Sequence, residues 1–173
     1  MIKIIGTRGN IQNIDIFLKQ VMSFAQKHQV IIQVFDADMI FGKAHLISSV
    51  EHATRAIERK TNTTNALDKE ILLYASGERQ IKLAILKMGI KKGNGNFAFV
   101  LVNDVKAGDR ELSDYLVCEV LKSFSLTRDD SVLEGDIDTL RKFDFNENEI
   151  KTVSKAKYGH LLLERVAVVD IIK

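Results

Sequence analysis

The sequence predicts an α/β fold with α+β character, in which a small mixed β-sheet is flanked by several α-helices and followed by a C-terminal apolar helix. Three observations carry this expectation. Val30–Phe35 and Phe97–Asn103 are compact runs with the composition of buried strands. Several other segments place apolar residues at helical spacing. The chain has 173 residues, 46% hydrophobic and 28% charged, with neither linker nor repeat. Those figures predict one globular domain spanning residues 1–173.

The elements follow in order. Met1–Gly6 is apolar and ends at a glycine, which predicts a strand, and Thr7–Asn10 then reads as a turn. Asn13 is placed to cap a helix whose stripe is Ile14, Phe17, Leu18, Val21, Phe24 and Ala25. After the Val30–Phe35 strand, Asp36-Ala37-Asp38 reads as its closing turn. Lys43 to about Arg59 is helical again, with Leu46, Val50, Ala53 and Ile57 inward. A polar loop, Thr61–Asn65, precedes the strongly apolar Leu67–Ala75, which reads as helix. Gly77 punctuates it, and Glu78–Met88 continues as a helix with Ile81, Ile85 and Met88 inside. Lys91–Asn96 reads as a turn before the Phe97–Asn103 strand, and Asp109 opens a helix through Leu121. Asn146 with Glu149 forms a capping-box signature for a C-terminal helix. Nine of the twelve residues from Leu161 to Ile172 are apolar, and Val166–Ile172 is so β-branched that propensity alone leaves helix or strand open.

Constellations that carry catalysis are missing from the pattern. Gly6–Asn10 follows a strand and faintly resembles a phosphate-cradling loop, yet it lacks the GxxxxGK[ST] spacing. His45 and His52 lie seven residues apart, roughly 10 Å along a helix axis, too far to share a metal ion. Asp36 and Asp38 suit a capping or turn role better than a cation site. Cys118, the single cysteine, sits in an amphipathic pattern and reads as a packed small hydrophobe. These readings predict a non-enzyme with no cofactor and no metal. A small nucleotide-binding enzyme using Gly6–Asn10 stays as the alternative.

With one cysteine, no membrane-length apolar run and no secretory signal, the expected compartment is the cytoplasm. Net charge is only +2 but is unevenly spread. Residues 43–92 carry +5 and residues 103–150 carry −7, while 1–42 and 151–173 carry +1 and +3. A basic middle beside an acidic segment fits two partners of opposite charge.

Two segments are more specific: Phe41-Gly42-Lys43-Ala44-His45-Leu46-Ile47-Ser48-Ser49-Val50-Glu51-His52-Ala53, and Glu70-Ile71-Leu72-Leu73-Tyr74-Ala75-Ser76-Gly77-Glu78-Arg79-Gln80-Ile81 followed by Ala84-Ile85. With Phe35–Asp38, Asp130–Glu134 and Leu163–Ala167, they resemble, in order and over nearly the whole chain, the kinase-binding small subunit family of the KEOPS complex. Asn103–Thr127 is the least familiar stretch, and nothing is carried onto it.

This resemblance implies a non-catalytic subunit of the machinery that installs threonylcarbamoyladenosine in tRNA. Its implied partners are the Rio-like kinase/ATPase subunit, tRNA captured through its CCA 3′ end, and, indirectly, the threonylcarbamoyl-transferase-like subunit. No membrane partner is implied, and weak self-association through the apolar C-terminus is left open. A pure assembly protein without RNA binding is a further alternative.

The residues fit such roles. On the Lys43–Arg59 helix one flank gathers His45, Ser49, His52 and Arg59, while Arg79 and Lys82 lie one turn apart. Phosphates call for point charges, and unpaired bases for planar groups on which to stack. The expected tRNA-binding set is therefore Lys43, His45, His52, Arg59, Arg79 and Lys82. Val166, Val169 and Ile172 recur at i, i+3 and i+6, and with Leu162 they form the expected kinase-docking stripe.

Overall fold

The structure, a computed structural model, describes residues 1–103 and 112–172. In chain order its elements are β1 (Ile2–Ile11), α1 (Ile14–His28), β2 (Val30–Asp36), α2 (Gly42–Glu58), α3 (Leu67–Ser76), α4 (Ile81–Met88), β3 (Gly93–Asn103), α5 (Asp114–Ser123), β4 (Thr127–Arg128), α6 (Ile137–Lys142), α7 (Glu147–Lys151) and α8 (Tyr158–Ile172). They fall into two compact units, Met1–Ala37 with Ile90–Val132, and Asp38–Gly89 with Leu133–Lys173. No helix among the described residues is long and apolar enough to cross a membrane.

The first unit contains the predicted sheet, in the order β2-β3-β1-β4. Every ladder among the described strands is antiparallel, so the expected mixed sheet is instead wholly antiparallel. The predicted turns at Thr7–Asn10 and Lys91–Asn96 are also corrected. Gly9 pairs with Gly95 and Asn10 with Asn94, which draws both glycine- and asparagine-rich stretches into the β1–β3 ladder. Side chains reinforce the pairing: Asn10 Nδ2 donates to Asn94 Oδ1 at 2.5 Å. Local turn propensity yields here to ten consecutive cross-strand pairs, because each backbone group satisfied in a ladder avoids a desolvation cost. Gly6–Asn10 is thus strand, with none of the loop a phosphate site would need.

On one face of this sheet α1 and α5 cover Ile5, Ile32, Val34, Phe97, Phe99 and Leu101. Asn13 caps α1 as predicted, its Oδ1 accepting from Ile16 N at 3.0 Å. Phe17, Val21 and Phe24 point inward, whereas Leu18 is exposed. The predicted Asp109 start lies outside the described residues. Within them α5 is capped by Ser113, whose side chain accepts from Leu116 N at 3.3 Å. Cys118 is exposed on α5, not packed, because Leu116, Val117 and Val120 take the inner face.

The second unit is helical. The Leu67–Ala75 segment is the predicted helix, buried at every position from Glu70 to Ser76. Gly77 ends it in the left-handed conformation with φ 70°, and an added Cβ would lie 2.6 Å from Arg165 Cγ. Fully buried Glu70 pins the preceding loop, accepting from the Thr64 amide and hydroxyl, each at 2.9 Å. The capping box at Asn146 is present, but it opens short α7 and not the C-terminal helix. Another, at Asp136, opens α6. Residues 166–172 resolve as helix, the last half of α8.

Candidate functional site

The second unit holds every side chain that the sequence assigns to binding. Its frame is the pairing of α2 with α8. An added Cβ at Gly159 would lie 3.4 Å from the Phe41 ring, and His52 Nδ1 lies 2.7 Å from Asp170 Oδ2. Each of these pairs is separated by 118 residues, so the two helices run side by side in the same direction. One end of the pair carries Phe41 and Gly159, the other His52 and Asp170.

His45 lies on the inner side of this frame. Only 1% of it is accessible, and its ring meets Phe143 edge-on with centroids 5.7 Å apart. Nδ1 accepts from Phe41 N at 3.4 Å, which leaves the proton on Nε2 to donate to Ala75 O at 2.9 Å. Burial lowers its pKa to about 4, outweighing the Ala75 hydrogen bond that favours the charged form. His45 therefore ties α2 to the end of α3 as a neutral imidazole. The expectation that it stacks on RNA is corrected, since neither ring face reaches solvent.

His52 occupies a different environment, about two turns further on. Its Nδ1 bond to Asp170 leaves Nε2 as the nitrogen available to a ligand, and its ring lies tilted against that of Tyr74 at 5.5 Å. Tyr74 donates its hydroxyl proton to the other Asp170 oxygen. Burial pushes the Asp170 carboxyl up, but the bonds from Tyr74 and His52, with the nearby charge of Arg55, hold it below the ordinary carboxylate value. Burial and the same Asp170 contact raise the Tyr74 phenol. Tyr74 thus acts here as a donor, and Asp170 as an anion fixing two donors.

Basic groups gather at this carboxyl end. Arg79 Nη1 donates to Ile172 O at 2.9 Å, satisfying one of the carbonyls that a helix end leaves open. The guanidinium itself stays exposed, as do Lys82 and Arg59. The structure therefore brings His52, Arg79 and the last turn of α8 together. It sets exposed Lys43 at the opposite end of α2, near Gly159.

The kinase-docking stripe is also corrected. Leu162, Val166 and Val169 are buried within the unit, and Ile172 is half-buried. Outward on α8 stand Glu164, Ala167, Val168 and Ile171, of which Ile171 is 82% exposed. Because α8 is apolar nearly all round, its sequence contains more than one candidate stripe and periodicity does not choose between them. Helix α4 was misphased in the same way. Ala84 and Met88 face inward, leaving Ile85, Leu83 and Leu86 exposed, Leu86 by 80%. An eight-residue helix showing three large apolar side chains to water is the clearest exposed apolar surface of this unit.

No group of three or more His, Cys, Asp or Glu among the described residues is placed to hold a metal ion. The arrangement offers an apolar helix face, a set of exposed cations and one oriented imidazole. These suit holding a macromolecule.

Comparison with known proteins agrees in kind. The family model described as kinase binding protein CGI-121 matches residues 9–170. The regulatory protein Cgi121 of Methanocaldococcus jannaschii is 28% identical over 145 residues, covering 82% of this chain and 84% of that protein.

Proposed function

The chain belongs to the CGI-121 family of kinase-binding proteins, and from that membership we propose that it is a non-catalytic subunit that docks on the Rio-like kinase/ATPase of KEOPS and recruits tRNA to it. The observation that carries this reading is the exposed apolar face of α4; Arg79, two residues before that helix, bonds to the last turn of α8. Leu83 and Leu86 supply the apolar anchors for the kinase, and exposed Val168 and Ile171 of α8 are further candidates. Full burial of one such side chain contributes about 1.5–3 kcal/mol, so a few anchors suffice for a stable pair.

Arg59, Arg79, Lys82 and the oriented His52 make up the tRNA-facing set in this reading, with the single-stranded CCA end as the element they hold. Exposed Arg and Lys meet phosphates, and a base can stack against the guanidinium planes. The chemistry of modification stays with the other subunits, and the complex works in the cytoplasm. The nucleotide-enzyme alternative loses its loop, because Gly6–Asn10 is paired strand.

A gel shift with tRNA tests the RNA half. Charge reversal at Arg59 and Lys82 together, which spares the Arg79–Ile172 bond, should abolish retention with an unchanged melting temperature. Unchanged affinity in that variant returns the chain to a pure assembly role.

A further inference from the structure

The parallel packing of α2 and α8 has a second end, where lysines gather; Gly135, between exposed Glu134 and the α6-capping Asp136, also lies against Phe41 there. Lys151, Lys155, Lys157 and His160 are all exposed, and they fall within ten residues leading into the first turn of α8. Gly159 lies against Phe41, which brings this segment beside Lys43 in the first turn of α2. Among the described residues Lys151, Lys155 and Lys157 make no ion pair. The carboxylates just before them are engaged elsewhere. Glu149 accepts from the Asn146 amide at 2.8 Å, and Glu147 pairs with Arg141 at 2.8 Å. Neither α2 nor α8 carries an acidic residue in its first turn.

We propose that this amino-end cluster, Lys43, Lys151, Lys155, Lys157 and His160, is a second nucleic-acid contact that tracks the phosphates of a base-paired RNA stem. It rests on the RNA-binding reading above and extends that reading to a surface of which the expected set included Lys43 alone. Two features select a polyanion over a protein. No large apolar side chain is exposed between residues 151 and 160, so the surface lacks the desolvated centre of a protein interface. Its cations are lysines, compact point charges on flexible stems that follow a phosphate backbone without fixing a sequence.

The spacing supports one ligand spanning both ends. Phe41 and His52 are eleven residues apart on the same helix, about 16 Å along its axis at 1.5 Å per residue. A stem resting on the amino end therefore sends its single-stranded terminus along α2 and α8 toward His52, Arg79 and Lys82. Stem phosphates are met first by lysines, and unpaired bases afterwards by planar groups.

The test uses the full chain and two RNA probes, a blunt hairpin and the same hairpin with a single-stranded 3′ extension, titrated by fluorescence anisotropy across a salt series. A Lys151→Gln/Lys155→Gln/Lys157→Gln variant should bind both probes about tenfold or more weakly. Its slope of log K against log salt should be shallower by about 2 to 3, since each lost duplex phosphate contact removes about 0.9. Its melting curve should match that of the parent. If the parent binds the probes and the variant keeps both affinity and slope, this contact is overturned while the RNA-binding reading stands. If the parent binds neither probe, the reading itself falls and this contact with it. Loss of kinase binding with unchanged RNA binding would assign the lysines to a protein and overturn the proposal.

Discussion

His52 Nδ1 sits 2.7 Å from Asp170 Oδ2, a bond that fastens the last turn of α8 to α2. Tyr74 of α3 takes the other oxygen of the same carboxylate, so one side chain holds three helices at the end where α8 would otherwise fray. Replacing Asp170 by Ala should cost about 1.5–3 kcal/mol, the range for hydrogen bonds to a charged group. Urea unfolding measures it. The carboxyl is held below its ordinary 3.8, so its contribution is complete above that value and is lost as pH falls through the lower folded value. An Asp170→Asn variant should remove this low-pH component, and the Arg79–Ile172 bond should weaken with it, seen as faster amide exchange in residues 168–172.

His45 gives a pH dependence in a higher window. It titrates near 4 when folded and near 6.5 when unfolded, so between those values the unfolded chain binds a proton that the folded one refuses. Stability therefore falls as pH drops, by about 2 kcal/mol from pH 7 to pH 5 at 1.36 kcal/mol per pH unit. A His45→Gln variant keeps a donor for Ala75 O and has no proton to gain. Its unfolding free energy should be nearly flat over the same range, and an unchanged slope would mean that another group sets it.

Much of the fold was legible because local and tertiary preferences agree. Asn13 caps where a capping residue precedes an apolar stripe, and Phe97–Asn103 has no reading except a buried strand. The Gly- and Asn-rich stretches around Gly9 and Gly95 were not legible, because their turn propensity is real and only the partner strand overrides it. Which candidate side chains face solvent was half legible. Arg59, Arg79 and Lys82 stand outside as residue type suggests, whereas His45 has a type that serves inside or outside equally well, and its Ala75 partner lies thirty residues away. The phase of α8 was hidden by its uniformity. With apolar residues on every side, the inward stripe is set by where α2 and α3 lie.

Two glycines of β1 should differ in what a methyl group costs. At Gly6 the added Cβ would sit 2.5 Å from the backbone oxygen of Asp129, whose own amide is bonded to Gly6 O at 2.9 Å. At Gly9 the close neighbour is a terminal carbon of the Leu126 side chain, 2.3 Å away, and a rotamer change relieves it. Gly6→Ala should therefore destabilise by about 2–3 kcal/mol and Gly9→Ala by about 1, within the range for overpacking. Thermal melts of the two variants order them, and equal losses would show that Leu126 cannot move.

The proposed docking on a kinase is tested by two apolar side chains that face opposite ways. Leu86 is 80% exposed on α4, whereas Val169 on α8 is fully buried. Leu86→Glu leaves the core untouched, so its melting temperature should hold while affinity for the purified kinase subunit falls at least about tenfold, the loss of one anchor worth about 1.5 kcal/mol or more. Val169→Glu buries an unpaired carboxylate and should cost at least about 3 kcal/mol of stability, with kinase binding lost only because the unit opens. Isothermal titration beside a melting curve separates the two. Full affinity in a folded Leu86→Glu/Leu83→Glu chain would move the docking surface off α4.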